Sequence, residues 1–136
     1  MKIDTVCIID DDPICVYGTK ILLNHNNFVS ADILVYEDGD EALTNLTNQL
    51  DKGQPMPDII LLDLNMPVMN GFEFLEAYRE KFGDNVPIVV VTGADLTEKD
   101  KEFLSGEVTR ILEKAPDTEG TIASDVAKVL RNVKMG

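Results

Sequence analysis

The chain has 136 residues, 44% of them hydrophobic and 27% charged, so we expect a single domain spanning residues 1–136. A formal net charge of −13 argues against nucleic-acid binding, which needs Lys and Arg to neutralise phosphates, and suits cations or basic protein partners instead.

No apolar stretch approaches the roughly 20 residues that cross a bilayer, so we expect no membrane association. The start does not resemble a signal peptide, and a cytoplasmic location is the expectation. Cys7 and Cys15 are too few for a disulfide framework and match no zinc-site spacing.

The first half of the chain alternates predicted strands and helices. Apolar runs predict strand one over about 4–9 and strand two over about 31–36. A helix is predicted from Pro13 to about Asn26, with Asp12 as its N-cap. The next helix is predicted from Asp38 to about Asp51, where Glu41 completes a pair that resembles a capping box.

The second half continues the same alternation. Strands are predicted over 58–62, 87–92 and 108–113, and helices over about 71–82, 96–105 and 118–133. Short runs rich in β-branched residues, separated by helices, are typical of buried strands in a parallel sheet. Five such βα repeats predict an α/β fold, a doubly wound open sheet with helices on both faces.

Polar residues follow the predicted strands where each strand ends. Asp10 and Asp11 follow strand one, Asp63 follows strand three, Thr92 ends strand four, and Lys114 follows strand five. Ligands of open parallel sheets bind beyond the carboxyl ends of the strands, so we expect these side chains at one edge.

Three aspartates at one edge repel one another unless a cation lies among them. Hard oxygen ligands are those that Mg²⁺ prefers, with its remaining positions left to water and phosphate. A carboxylate beside such a cation can attack phosphorus and form an aspartyl-phosphate. A hydroxyl and an ammonium group can neutralise the phosphoryl oxygens, so the set fits phosphoryl transfer.

The chain resembles the receiver domains of response regulators in two-component signalling, a family that includes the single-domain chemotaxis regulator. Four segments carry this resemblance in the right order and spacing: VCIIDDDP (6–13), DGDEAL (38–43), LDLNMPVMNG (62–71) and VTGA (91–94). The resemblance implies a flavodoxin-like (βα)5 fold with five parallel strands in the order 2-1-3-4-5.

The resemblance also implies roles for individual residues. Asp63 would be the phosphoacceptor and a Mg²⁺ ligand, Asp11 would bind Mg²⁺ directly, and Asp10 would support it mainly through water. Asn65 would offer its backbone carbonyl to the metal. Thr92 would hydrogen-bond a phosphoryl oxygen.

Lys114 would pair with the phosphoryl group, but its surroundings depart from the family pattern. The family usually has Lys-Pro with a cis peptide bond, whereas this chain reads Lys114-Ala115-Pro116. A cis bond before Ala115 would cost about 3 kcal/mol, so we expect a different loop here. Ile111 stands where many relatives carry an aromatic switch residue, so signalling would rely on Thr92, the fourth helix and the loops.

The first helix is apolar over much of its circumference, and Ile14, Tyr17 and Ile21 form one stripe. In the family this helix contributes to docking on a histidine kinase or phosphotransfer protein, so Ile14 and Tyr17 are candidate docking residues. The alternative is that the stripe packs into the core while Cys15 and Leu22 face outward.

The sequence therefore predicts a phosphoacceptor switch rather than an enzyme, with slow self-dephosphorylation. It would take a phosphoryl group from a sensor histidine kinase or phosphotransfer protein and signal to a downstream protein or onward relay. The end of the chain leaves no room for an output domain, unless the chain is a piece of a longer protein. The main alternative is a degenerate receiver that acts by protein binding without phosphorylation.

Two further alternatives fit the residues less well. A haloacid-dehalogenase-type phosphatase would need an acid two residues after the nucleophile, where this chain has Asn65. A flavodoxin-like nucleotide carrier would need a phosphate-cradling loop after strand one, and that loop is triply acidic.

Overall fold

A computed structural model of the chain describes residues 3–14, 16–17, 20, 29–64, 69–83, 86–92, 96–108 and 110–113. Five strands form one parallel sheet in the order β2-β1-β3-β4-β5, as the resemblance to receiver domains implies. The strands are β1 (Ile3–Ile9), β2 (Val29–Tyr36), β3 (Ile59–Leu62), β4 (Ile88–Thr92) and β5 (Arg110–Glu113). Strand two therefore begins two residues earlier than predicted, and strand five two residues later.

The register of the central strands aligns their carboxyl ends. Ile9 at the end of β1 pairs with Tyr36 in β2 on one side and with Leu62 in β3 on the other. The ladder continues by one residue on each side, since the Asp10 amide donates to the Tyr36 carbonyl at 3.0 Å and the Asp63 amide to the Ile9 carbonyl at 2.9 Å. Asp10 and Asp63 therefore leave the sheet at the same level.

Helices connect the strands. In α1, every described position within 13–20 is helical. The other helices are α2 (Gly39–Asp51), α3 (Gly71–Phe82) and α4 (Glu98–Glu107). The predicted final helix over 118–133, and the part of the first predicted helix beyond residue 20, lie outside the described residues.

Side-chain caps fix where three helices begin. Asp38 accepts a hydrogen bond from the Glu41 amide, while the Glu41 carboxylate accepts from the Glu37 amide rather than from Asp38, so this predicted capping box is incomplete. Reciprocal capping boxes start α3, between Asn70 and Glu73, and α4, between Thr97 and Asp100. Residue 98, rather than the predicted 96, therefore opens α4, because Thr97 is its N-cap.

The sheet separates two hydrophobic clusters. Alternate β1 residues face opposite sides, with Cys7 and Ile9 in one cluster and Val6 and Ile8 in the other. The first cluster includes buried side chains of α2 and α3, and the second includes Val16 of α1. The described residues therefore confirm helices on both faces of the sheet.

Cys7 is fully buried in the core, and burial raises the pKa of its thiol to about 12. Cys15 lies outside the described residues. None of the helices in the described part of the chain combines the length and apolar content needed to span a bilayer.

Candidate functional site

Three carboxylates meet at the carboxyl edge of the sheet. Asp10, Asp11 and Asp63 each offer one oxygen, and these oxygens all lie within 4.8 Å of one another. Asp10 and Asp63 are each only 7% exposed, whereas Asp11 is exposed to solvent. The predicted convergence of strand-end acids is therefore present, with one accessible side.

The turn between β1 and α1 explains why Asp12, which follows Asp10 and Asp11 in the sequence, is not part of the cluster. The Asp12 carboxylate accepts a hydrogen bond from the Ile14 amide at 3.0 Å, and the Asp12 carbonyl accepts from the Val16 amide at 3.0 Å. Asp12 is therefore the N-cap of α1, as predicted. Its own amide donates to the Asp10 carboxylate at 2.9 Å, which helps to hold Asp10 at the edge.

The cluster suits a divalent cation. Carboxylate oxygens are hard ligands, and three negative charges within 4.8 Å are best compensated by a small ion of double positive charge. The exposed side at Asp11 leaves space for water or a phosphoryl group. The donor set therefore fits Mg²⁺, with Asp10, Asp11 and Asp63 as the residues that could hold it.

The other predicted site residues are only partly described. Thr92 ends β4 and pairs with Glu113 in β5, which places its backbone at the same edge of the sheet. The side chain of Thr92 lies outside the described residues, as do Asn65 and Lys114 with its following loop. Their assigned roles stay predictions. Ile111 is half-buried and packs against the larger core cluster.

The two candidate docking residues lie on the open surface of α1. Ile14 is 81% exposed and Tyr17 is 68% exposed, while Val16 between them is buried among β-strand residues. In the described part of α1, it is therefore Val16 and not the Ile14–Tyr17 stripe that packs the core. Ile21, Cys15 and Leu22 lie outside the described residues.

A shallow cleft of about 290 Å³ connects this helix with the acids. The cleft is lined by two acids of the cluster and by residues of α1, of β2 and of the turn after β2: Asp10, Asp11, Pro13, Val16, Tyr17, Lys20, Val35 and Glu37. A partner that covers Tyr17 would therefore approach the open side of the carboxylate cluster.

Comparison with known proteins identifies this architecture. Residues 6–124 match the family model of the response regulator receiver domain. The chain belongs to this family. Receiver domains are the phosphoacceptor modules of response regulators, so the fold and the strand-end acids have a common explanation.

Individual relatives agree with this family. The chain is 41% identical over 80 residues to the nitrate/nitrite response regulator protein NarL of Escherichia coli K12. That match covers 57% of this chain and 32% of NarL, so this chain matches about a third of the length of that relative.

Solved structures show the same fold over nearly the whole chain. A two-component response regulator from Cytophaga hutchinsonii has a TM-score of 0.80 and 24% identity, covering 96% of this chain and 99% of that one. One from Legionella pneumophila has a TM-score of 0.74 and 27% identity, with the same coverage of both chains.

Gly71 belongs to the segment 62–71 that resembles the receiver family, but the sequence alone predicts no role for it. The structure places this residue against the main chain of Asp63, where an ideal Cβ would lie 2.7 Å from the Asp63 carbonyl oxygen. A glycine at the first position of a predicted helix is a weak signal on its own, because it also fits an ordinary loop.

Proposed function

We propose that this receiver domain accepts a phosphoryl group on Asp63, from a histidine of a sensor kinase or phosphotransfer protein, in a Mg²⁺-dependent reaction. The observation that carries the proposal is the meeting of the Asp63 carboxylate with those of Asp10 and Asp11 within 4.8 Å. Asp63 leaves the end of β3, and its main chain is fixed by the amide hydrogen bond to Ile9. A fixed nucleophile among metal-binding oxygens is what phosphoryl transfer requires.

The residues divide the chemistry among them. Asp10, Asp11 and Asp63, together with the backbone carbonyl of Asn65, would hold Mg²⁺. When bound, the cation neutralises charge on the phosphoryl oxygens and on the acids around them. A carboxylate oxygen of Asp63 attacks phosphorus, a new P–O bond forms, and the bond from phosphorus to the donor atom breaks.

Two further residues act on the transferred group. The leaving donor atom keeps the electron pair of the broken bond, and Asp63 becomes an aspartyl-phosphate. Thr92 would donate a hydrogen bond to one phosphoryl oxygen, and the ammonium group of Lys114 would pair with another. Slow hydrolysis of the acyl phosphate returns the domain to its starting state, so the chain acts as a switch.

Intact mass after incubation with acetyl phosphate tests the proposal. The wild-type chain should gain one phosphoryl group with Mg²⁺ and none with a chelator. Asp63→Asn should gain none in either condition. Asp12→Asn is the matched control, because it also neutralises an acid of this edge but lies outside the cluster and keeps a capping side chain.

The same experiment contains the result that would contradict the proposal. A wild-type chain that binds Mg²⁺ yet gains no mass would favour a degenerate receiver. A gain that persists in Asp63→Asn would place the acceptor elsewhere.

We also propose that Ile14 and Tyr17 contact the phosphodonor protein. Both side chains are exposed on α1, and Tyr17 borders the cleft that leads to Asp10 and Asp11. A histidine phosphotransfer domain that phosphorylates the wild-type chain is the probe. Tyr17→Ala should slow that transfer and leave phosphorylation by acetyl phosphate unchanged, whereas Leu50→Ala should slow neither.

Leu50 is a suitable control because it is an apolar side chain, 47% exposed, on α2 rather than α1. Equal slowing of both reactions by Tyr17→Ala would show a general defect and remove the docking role.

Output would involve α4. Among its residues with described side chains, Leu104 alone is buried, and Phe103 contacts Phe72 of α3 with ring centroids 6.1 Å apart. Because so few side chains anchor α4, this helix can shift at a low cost in free energy. Ile111 is not aromatic, so it cannot act as an aromatic switch. Amide chemical shifts across residues 93–113 should change on phosphorylation, and unchanged shifts would exclude this route.

A further inference from the structure

The first residue of α3 lies closer to the phosphoacceptor main chain than any side chain permits. An ideal Cβ on Gly71 would stand 2.7 Å from the Asp63 carbonyl oxygen, and equally close to Cα and Cδ2 of Leu64. Contacts of a Cβ below 3.0 Å are essentially never found, and two of these three atoms belong to the backbone. A methyl group here therefore has to displace the Asp63–Leu64 main chain.

Hydrogen bonds and core packing hold the segment that would be displaced. The Asp63 amide donates to the Ile9 carbonyl at 2.9 Å, and the Leu64 carbonyl accepts from the Gly71 amide at 3.1 Å. Leu64 is 2% exposed and belongs to the larger core cluster. The strand pairing and the core therefore transmit a push at Gly71 to Asp63 itself.

The start of α3 is equally well fixed. The Asn70 side chain accepts from the Glu73 amide at 3.0 Å, and the Glu73 carboxylate accepts from the Asn70 amide at 3.2 Å. This capping box holds the first turn of the helix, so the helix cannot easily withdraw from a Cβ at Gly71.

We propose that Gly71 is a positioning residue for phosphoryl transfer. Its missing side chain lets α3 pack directly on the Asp63–Leu64 main chain and set the depth at which the Asp63 carboxylate meets Asp10 and Asp11. This inference rests on the proposed function of Asp63. Moving one atom from 2.7 Å to the ordinary contact distance of 3.4 Å requires a shift of about 0.7 Å. Misplacement by about 1 Å can slow a reaction 100-fold.

Three alanine variants separate positioning from general crowding. Gly71→Ala adds a methyl group at the phosphoacceptor. Gly39→Ala adds one nearby, at 3.0 Å from Met69 and Phe74 side-chain atoms. Gly106→Ala adds one in α4, where nothing lies within 4 Å. Each variant is compared with wild type in its initial rate with acetyl phosphate, its half-saturating Mg²⁺ concentration, its urea midpoint and its metal-free amide spectrum.

The Gly71→Ala variant should be phosphorylated at least tenfold more slowly than wild type at saturating Mg²⁺, and its half-saturating Mg²⁺ concentration should be higher. In its amide spectrum recorded without metal, the Asp63 and Leu64 resonances should be shifted from their wild-type positions. Gly39→Ala and Gly106→Ala should keep rate and Mg²⁺ midpoint within twofold, even where Gly39→Ala lowers the urea midpoint. A purely structural defect would lower the rate only in proportion to the folded fraction, without moving the Mg²⁺ midpoint.

A milder variant covers the case in which Gly71→Ala does not fold. Asn70→Ala removes the capping box of α3 without adding atoms, and Thr97→Ala removes the corresponding box of α4. Asn70→Ala should slow phosphorylation about threefold and speed hydrogen exchange at the Gly71 amide. Thr97→Ala should leave both unchanged.

Several results would overturn the positioning role. These are a folded Gly71→Ala that reacts at the wild-type rate, Gly39→Ala slowed to the same extent, or Asn70→Ala indistinguishable from Thr97→Ala. If the wild-type chain takes up no phosphoryl group, the proposed function of Asp63 fails. The metal-free amide spectra then test the main-chain displacement by themselves. Asp63 and Leu64 amide resonances of Gly71→Ala that stay at their wild-type positions would contradict the displacement.

Discussion

Asp11 is the accessible charge of the carboxylate cluster, and we predict that Asp11→Asn stabilises the metal-free protein. Two unit charges 4.8 Å apart repel by about 0.9 kcal/mol in a water-like dielectric and by about 3.5 kcal/mol at an effective dielectric of 20. Asp11 is exposed, so the lower value applies to each of its two pairs, with Asp10 and Asp63. Asp10 and Asp11 are also neighbours in the unfolded chain, so mainly the repulsion from Asp63 is relieved, and the variant should gain about 1 kcal/mol in free energy of unfolding.

Urea unfolding at pH 7, low ionic strength and with a chelator measures this gain. Asp12→Asn serves as the matched control. Asp12 lies next to the cluster but its carboxylate caps α1, and asparagine caps as well as aspartate, so its stability should change by less than about 0.5 kcal/mol. Added salt should reduce the gain of Asp11→Asn, because it screens exposed charges.

Mg²⁺ should reverse the order of stability. A cation that binds only the native state at 100 times its Kd adds about 2.7 kcal/mol, and the variant should bind it more weakly because a neutral amide oxygen replaces the Asp11 carboxylate. Wild type should then be the more stable protein. The reasoning is refuted if Asp11→Asn is destabilised without metal, or if Asp12→Asn gains as much.

Three further predictions concern the fold. Phe74→Ala should cost about 3–5 kcal/mol in urea unfolding, because Phe74 is fully buried and stacks on Tyr78 at 5.5 Å; a loss below about 1 kcal/mol would contradict its place in the core. Thr97→Ala should cost about 1 kcal/mol and speed hydrogen exchange in the first turn of α4, since it removes the cap that binds the Asp100 amide at 3.0 Å. Burial raises the pKa of Cys7 from 9.0 to about 12, so the native state holds this proton more tightly than the unfolded chain. That contribution to stability is complete below pH 9 and is lost as the pH rises to 12, by up to about 1.4 kcal/mol per pH unit. Urea titrations under reducing conditions should show a shallower decline in Cys7→Ala.

The convergence of the acids could be predicted because the strand pattern indicates a parallel sheet and the resemblance to receiver domains implies that β1 and β3 are neighbours. Ile59–Leu62 is a short apolar run, as expected of a central parallel strand, and all four residues are buried. Once β1 and β3 are parallel neighbours, the residues after Ile9 and Leu62 have to emerge together. The bounds of α3 were also predicted correctly at Gly71–Phe82.

Element ends that depend on tertiary hydrogen bonds were less predictable. The apolar pattern predicts Val108 in strand five, but its amide donates to the Leu104 carbonyl at 2.9 Å, and Val108 ends α4 instead. Strand two extends back to Val29 because it pairs with Ile3, a partner that a local pattern cannot show.

Two features of the site had no readable signal. The apolar pattern of α1 left both faces possible, and only packing shows that Val16 is inward while Tyr17 is exposed. The approach of Gly71 to Asp63 is a distance between elements and has no counterpart in the sequence.

The pairing of β1 with β3 has a kinetic consequence. Where these strands meet, the Thr5 amide donates to the Asp58 carboxylate, and the two residues lie 53 positions apart in the sequence. Asp10 and Asp63 have the same separation in the sequence. Closing a loop of that length costs about 3.5 kcal/mol of chain entropy before any contact repays it. We therefore expect phosphoryl uptake during refolding to appear only when this long-range pairing forms, and a newly synthesised chain to be unreactive towards phosphodonors until the centre of the sheet has closed.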